Sequence, residues 1–147
     1  MQVLSPLAGR AMPLDHVPDP VFAGLLVGPG VAVDPDRTAT SAVAPISGTI
    51  IKLHPHAYVV ADESRSVLVH LGIDTVQLKG EGFTLHALEG ATVAAGDPIV
   101  SWDPAAIEAE GMSPAVPVVA LEATAEQVSG LVEAGPVAAG DVLFVWG

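Results

Sequence analysis

The chain has 147 residues, with 17 acidic against 5 basic side chains, a formal net charge of −12 and an apolar half. That charge excludes binding to nucleic-acid phosphates by neutralisation and repels anionic membrane surfaces. No apolar run approaches the roughly 20 residues of a transmembrane segment, and the absence of cysteine removes disulfides, thiolate nucleophiles and Cys-based zinc sites.

The apolar half is mostly small, since 45 of its residues are Ala or Val and only six residues of the chain are aromatic. With 15 Gly and 13 Pro along the chain, long helices are excluded and an all-β domain over residues 1–147, with a few short helices, is predicted. In chain order, Ser5-Pro6-Leu7-Ala8-Gly9 reads as a tight turn entering a strand. Pro18-Asp19-Pro20 precedes one or two helical turns over Val21 to Leu26, stopped by Gly28-Pro29-Gly30. Val31 to Val33 is a strand, and Ala44-Pro45-Ile46-Ser47-Gly48 is a second turn of the first kind. Ala57 to Val60 and Val67 to Leu71 form a hairpin joined by the five polar residues Asp62 to Ser66. Pro104 to Glu110 and Ala123 to Ala134 are the remaining helices, the second with Val128, Leu131 and Val132 on one apolar face.

Two internal echoes organise these elements. Ser5-Pro6-Leu7-Ala8-Gly9-Arg10-Ala11 repeats in pattern as Ala44-Pro45-Ile46-Ser47-Gly48-Thr49-Ile50, 39 residues later. Val93-Ala94-Ala95-Gly96-Asp97 recurs as Val137-Ala138-Ala139-Gly140-Asp141 at an offset of 44, with Ile99 matched by Leu143 and Trp102 by Trp146. The echoes are too few for a solenoid and point to a duplicated β domain with pseudo-symmetric halves.

Histidine is the informative residue type, as a nucleophile and ligand that titrates near neutral pH. His70 lies inside Val67-Leu68-Val69-His70-Leu71-Gly72, where alternation puts Leu68 and His70 on one strand face. An imidazole in so apolar a run needs a partner or a task. The hairpin brings His56 within reach of it, and two neutral imidazoles converging on one patch suit phosphoryl acceptance on a ring nitrogen. No Lys or Arg stands beside the pair. The rival chemistry is a metal, because His54-Pro55-His56 and His70-x-x-x-Asp74 offer up to three imidazoles and a carboxylate to zinc. His16 and His86 read as surface loop residues. Gly28-x-Gly30 and Gly80-Glu81-Gly82 lack the context of a phosphate cradle, and Lys52 and Lys79 lack the Met neighbours of a biotinyl or lipoyl hairpin.

The run Val69-His70-Leu71-Gly72-Ile73-Asp74-Thr75-Val76-Gln77-Leu78-Lys79-Gly80-Glu81-Gly82-Phe83 closely resembles the active-site segment of the glucose-type enzyme IIA of the bacterial phosphoenolpyruvate-dependent sugar phosphotransferase system. Val17 to Phe22, Ala44 to Ile50, His56-Ala57-Tyr58 and Gly96-Asp97-Pro98 also resemble family segments, in the family's order. The resemblance implies an antiparallel β-sandwich with a duplicated hybrid motif and no cofactor, and the absence of cysteine and of a basic-then-apolar leader points to a cytoplasmic location. It implies a phosphocarrier that takes a phosphoryl group from the phosphohistidine protein HPr and passes it to the IIB cysteine of a IIB/IIC sugar permease. Regulatory protein targets that read its phosphorylation state are also known in the family. On this pattern His70 is the acceptor through Nε2 and His56 the second imidazole. Asp74 faces basic HPr side chains, and Tyr58, Leu68 and Leu71 form the docking surface.

Three departures qualify the resemblance. The stretch before His56 is short, which removes a polar residue that relatives often carry there. Pro29 stands where many relatives have an Asp, which leaves HPr docking to Asp74 and the apolar patch. The chain begins almost at the first strand, so the expectation is recruitment by the permease rather than by an N-terminal tail. The alternative function is a zinc-dependent hydrolase of the same architecture, like the lysostaphin-type endopeptidases, in which His-x-x-x-Asp precedes His-x-His; here the order is reversed. Incidental zinc between His56 and His70 is compatible with either reading.

Overall fold

The computed structural model describes residues 1–147. Its first strands are β1 (Gln2–Leu4), β2 (Gly9–Pro13), β3 (Gly30–Pro35), β4 (Thr40–Val43), β5 (Gly48–His54), β6 (Ala57–Asp62) and β7 (Arg65–His70). The later ones are β8 (Thr84–Leu85), β9 (Thr92–Val93), β10 (Pro98–Trp102), β11 (Val116–Ala120), β12 (Val128–Ser129), β13 (Pro136–Val137) and β14 (Val142–Trp146). Helices α1 (Pro20–Ala23) and α2 (Pro104–Ala109) are short, as the density of Gly and Pro dictates.

All strand pairs are antiparallel. An eight-stranded sheet runs in the order β13-β2-β3-β11-β7-β6-β5-β9, and β1-β14-β12 and β4-β10-β8 form two smaller ones. The main core lies on one side of the large sheet, where Val31, Val33, Val60, Val67, Val69, Val116 and Val118 are fully buried with Leu143 and Phe144. A smaller cluster of Leu14, Val17, Phe22, Ala32, Ile73 and Val119 covers part of the other side. Alternation along β7 divides its residues between the two, with Val67 and Val69 in the main core and Leu68 against the smaller cluster.

Both echoes are structural, and they interlock. The Leu4 N–H donates to the Pro45 carbonyl and the Val43 N–H to that of Pro6, both at 2.9 Å. Each Pro turn also engages a Gly-Asp turn: Ser5 N–H donates to Asp141 O and Gly140 N–H to Ser5 O, while Ala44 N–H donates to Asp97 O and Gly96 N–H to Ala44 O. In the Gly-Asp turns the Asp carboxylates accept from Ala94 N–H at 2.9 Å and Ala138 N–H at 2.8 Å. Gly96 and Gly140 take φ of 93° and 91°, a region closed to most side chains. The first and last strands close the structure, with Trp146 N–H donating to Met1 O at 2.8 Å and the Met1 amine to Trp146 O at 3.0 Å.

Three local expectations are corrected. The hairpin strands extend to an Asp62↔Arg65 pair, so the connection is the two residues Glu63 and Ser64 rather than five. The first helix covers Pro20–Ala23, and Leu25 turns the chain at φ 58° before Gly28. Ala123 to Ala134 is not a helix. Thr124 and Gln127 close a capping box over one 3₁₀ turn, Val128 pairs with Trp146, and Gly130 at φ 61° ends any helical continuation. Three apolar residues at helical spacing were outweighed by edge pairing with β14. Helix α2 forms as expected, with Asp103 Oδ1 accepting from Ala105 N–H at 3.0 Å.

Tyr58 has no exposed surface, and its hydroxyl donates to the Val43 carbonyl at 2.7 Å, tying β6 to the end of β4. Replacing Tyr58 with Phe is expected to lower the unfolding free energy by about 1 kcal/mol. The reading is a lower urea midpoint at unchanged m-value.

Candidate functional site

Two residues, Pro55 and His56, join β5 to β6, with His54 paired to Ala57 and Ala57 paired to His70. The His56 carbonyl accepts from Leu71 N–H at 2.7 Å, which pins the turn beside the end of β7. The two rings meet edge to face, their centroids 5.2 Å apart and their planes at 75°. The ladder between β7 and β11 ends at Val69↔Val118. The next pair in that register is His70 with Pro117, and proline has no N–H to bring to a ladder.

His70 packs against Phe22, with ring centroids 5.3 Å apart. Phe22 is placed by α1, which starts where Asp19 Oδ1 accepts from Val21 N–H at 2.9 Å and Pro20 occupies the first turn. On its other side, His70 Nδ1 lies 2.6 Å from the Gly72 carbonyl oxygen. A carbonyl can only accept, so Nδ1 carries the ring proton and Nε2 holds the lone pair. Gly72 has φ 81°, and a Cβ there would meet Thr75 Cγ2 at 2.6 Å and Ser113 O at 3.1 Å, so this turn requires glycine. Thr75 is fully buried and its hydroxyl donates to Leu71 O at 2.8 Å.

Burial pushes the His70 imidazole below its ordinary pKa, partly opposed by the Gly72 hydrogen bond and by the carboxylates of Asp19 and Asp74. Burial, with the neighbouring rings of His70 and His54, pushes His56 down to about 4. Both rings are therefore biased to the neutral, nucleophilic form. The charges acting on the pair are two carboxylates and neighbouring imidazoles, with no Lys or Arg among them.

Sequence reasoning places the expected residues with mixed success. His56 and His70 come together. Asp74 is exposed, at φ 63° on the turn after His70, and Leu68 is half-buried on the same strand face as His70. Tyr58 and Leu71 are fully buried and are corrected: neither has surface to offer a partner, because both point into the main core. Asp19 and Phe22 have no expected role at the imidazole pair, and His54 only that of a zinc donor. Asp19-Pro20 is a readable helix start, but a helix of four residues gives too little periodicity to aim Phe22 at a strand far away in sequence. His54 stacks on His56, with centroids 5.8 Å apart and planes at 27°. His16 is exposed, as expected, 3.8 Å from Asp15, and exposed His86 meets the Ser101 hydroxyl. No three of the His, Asp and Glu side chains are arranged to hold a metal ion, so the zinc-hydrolase alternative has no donor set to rest on.

A family model described as phosphoenolpyruvate-dependent sugar phosphotransferase system, EIIA 1, matches residues 1–125. The glucose-specific EIIA component of Oceanobacillus iheyensis is 41% identical over 118 residues, covering 78% of this chain and 70% of that protein. The mannose-specific EIIBCA component of Corynebacterium glutamicum is 45% identical over 106 residues, covering 70% of this chain. The match spans only 15% of that longer protein, and 17% of a glucose-specific EIIBCA component of the same species. Among solved structures, glucose permease IIA from Mycoplasma capricolum superposes with a TM-score of 0.90 at 31% identity, covering 100% of this chain and 96% of that one.

Because the fold holds His56 neutral while the unfolded chain protonates it near 6.5, the unfolded state binds the proton first as pH falls. This contribution to stability is fully present above pH 6.5 and is lost as pH falls from there towards about 4. The lowered His70 acts in the same direction. Nitrogen-15 NMR titration of the folded protein is expected to show a neutral His56 ring at pH 5.5.

Proposed function

The chain belongs to the EIIA 1 family of the phosphoenolpyruvate-dependent sugar phosphotransferase system, and on that premise we propose that His70 Nε2 is its phosphoryl acceptor and His56 the partner imidazole. The observation that carries this reading is the 2.6 Å contact of His70 Nδ1 with the Gly72 carbonyl. It commits the ring proton to Nδ1 and leaves Nε2 without a hydrogen-bond partner, in a ring that meets a second neutral imidazole edge to face.

Phospho-HPr supplies the group. The lone pair of His70 Nε2 attacks phosphorus, the P–N bond of the donor breaks in line, and its electron pair returns to the donor nitrogen. The Nδ1 proton stays on the Gly72 side throughout, so no proton crosses the site. His56 presents an N–H to the transferring oxygens. Donor and acceptor are both imidazoles, so little driving force is needed in either direction, and the protein contributes mainly positioning. Asp74 and Asp19, the two carboxylates that act on His70, face a basic donor surface. In the second half of the cycle the phosphoryl group passes from His70 to a IIB cysteine of a sugar permease. Fusion of similar EIIA segments into EIIBCA relatives supports that partnership. In this reading residues 1–147 act as one IIA domain at the cytoplasmic face. No helix is long and apolar enough to cross a membrane.

Phosphorus NMR of the protein incubated with phosphoenolpyruvate, enzyme I and HPr is expected to show a single Nε2 phosphohistidine. His70→Ala abolishes it. His56→Gln still accepts the group but passes it to IIB at least 100-fold more slowly, the scale for loss of a positioned catalytic imidazole. Normal phosphorylation of His70→Ala overturns the assignment.

A further inference from the structure

The carbonyl that faces His70 Nδ1 belongs to a glycine, and a glycine peptide keeps one orientation only where its surroundings admit no other. Thr75 closes one side, its Cγ2 2.6 Å from where a Cβ of Gly72 would stand. A segment far along the chain closes the other. The Ile107 Cγ2 methyl lies 3.5 Å from the same point, and the Ser113 carbonyl oxygen 3.1 Å from it. That oxygen also accepts from the Ile73 N–H at 2.9 Å, so it holds the residue that follows Gly72 as well.

The segment is itself fixed. Ile107 is buried in the main core, and its carbonyl accepts from Met112 N–H at 3.2 Å in the turn that leaves α2. On the outer face of α2, Glu108 accepts from the Arg37 guanidinium at 2.9 Å, and the same guanidinium donates to Asp34 at 2.7 Å, which ties the helix to the end of β3. Beyond Ser113 the chain enters β11, the ladder neighbour of β7.

Resting on the transfer reading, we propose that Ile107 is a positioning residue for phosphoryl acceptance. With the Ser113 carbonyl it braces the Gly72 peptide from outside, and through that peptide it keeps the ring proton of His70 on Nδ1. Ile107 acts through the Gly72 carbonyl and not on the reacting atoms. Room opened beside Gly72 lets its peptide turn away, and an imidazole without a fixed acceptor carries its proton on either nitrogen. A ring protonated on Nε2 has no lone pair there to attack phosphorus.

Nitrogen-15 NMR of the unphosphorylated chain near pH 7.5 reads the His70 tautomer, and single-turnover phosphorylation by phospho-HPr reads the rate. The wild type is expected to show the Nδ1–H tautomer alone. Ile107→Ala is expected to show both tautomers and to accept the group roughly ten-fold more slowly, within the range for a reacting group displaced by a fraction of an ångström. Ile107→Leu refills the space and restores both readouts, and Ile107→Val falls between. Leu143→Ala is the stability control, a fully buried leucine of β14, in a sheet that shares no strand with that of β7. It lowers the urea midpoint and keeps the wild-type tautomer and rate. A pure Nδ1–H tautomer in Ile107→Ala, or the same mixture in Leu143→Ala, overturns the proposal; should Ile107→Ala not fold, Ile107→Val is judged in the same way. A wild type that is not phosphorylated at all overturns the transfer reading beneath it, while the tautomers still decide the bracing.

Discussion

The site depends on one hydrogen bond, from His70 Nδ1 to the carbonyl of Gly72 two residues on. It selects the tautomer, and with it the nitrogen that can react. The bond exists because the chain leaves β7 in a turn open only to glycine, and that turn is held from within by buried Thr75 bonding back to Leu71. Leu71 in turn donates its N–H to the His56 carbonyl, so a stretch of five residues fixes the ring of one histidine and the backbone of the other. Leu71 and Ile73 anchor the stretch by burial in the two separate cores. A carrier that must load and unload at similar energy gains from such rigidity, because nothing has to be reorganised at either step.

The electrostatic arrangement follows the same logic. Burial favours neutral rings, and Asp19 and Asp74 oppose it at His70 without a fixed cation to hold an anion permanently. A lysine or arginine at this place would stabilise the loaded state and slow release. Imidazoles and carboxylates keep loading and unloading closer in energy, and they leave the stronger positive charge to whichever protein docks. In a chain of net charge −12, the field at the site is an extension of the field of the whole surface.

Much of this was legible in the sequence, for identifiable reasons. Alternation in Val67 to His70 survives any tertiary context because period-two patterning maps directly onto strand faces, and the Gly-Asp echoes were legible because a glycine at positive φ followed by a carboxylate that accepts from the N–H three residues back leaves a signature in two adjacent residues. The encounter of the echoes was not legible, since reciprocal bonds such as Leu4 to Pro45 and Val43 to Pro6 join carbonyls and N–H groups that every residue possesses. Tyr58 and Leu71 enter the docking surface on the resemblance alone, whereas period-two alternation already sets Tyr58 on the face of Val60, and Leu71, past the end of β7, joins the same main core. The segment Ala123 to Ala134 is not a helix because its apolar residues reach the main core in extended form: Val128 is buried there while pairing with Trp146, and Leu131 and Val132 pack against the same core.

The pairing of the first strand with the last has a consequence for architecture. With Met1 and Trp146 bonded to each other, the two ends of the fold leave the surface about one strand spacing apart, roughly 5 Å. A tether attached at either end therefore starts from nearly the same point and sweeps nearly the same volume. Placing such a domain before or after its neighbour in a longer polypeptide leaves the reach of its histidines almost unchanged, so the order of domains can be reshuffled without redesigning the linker.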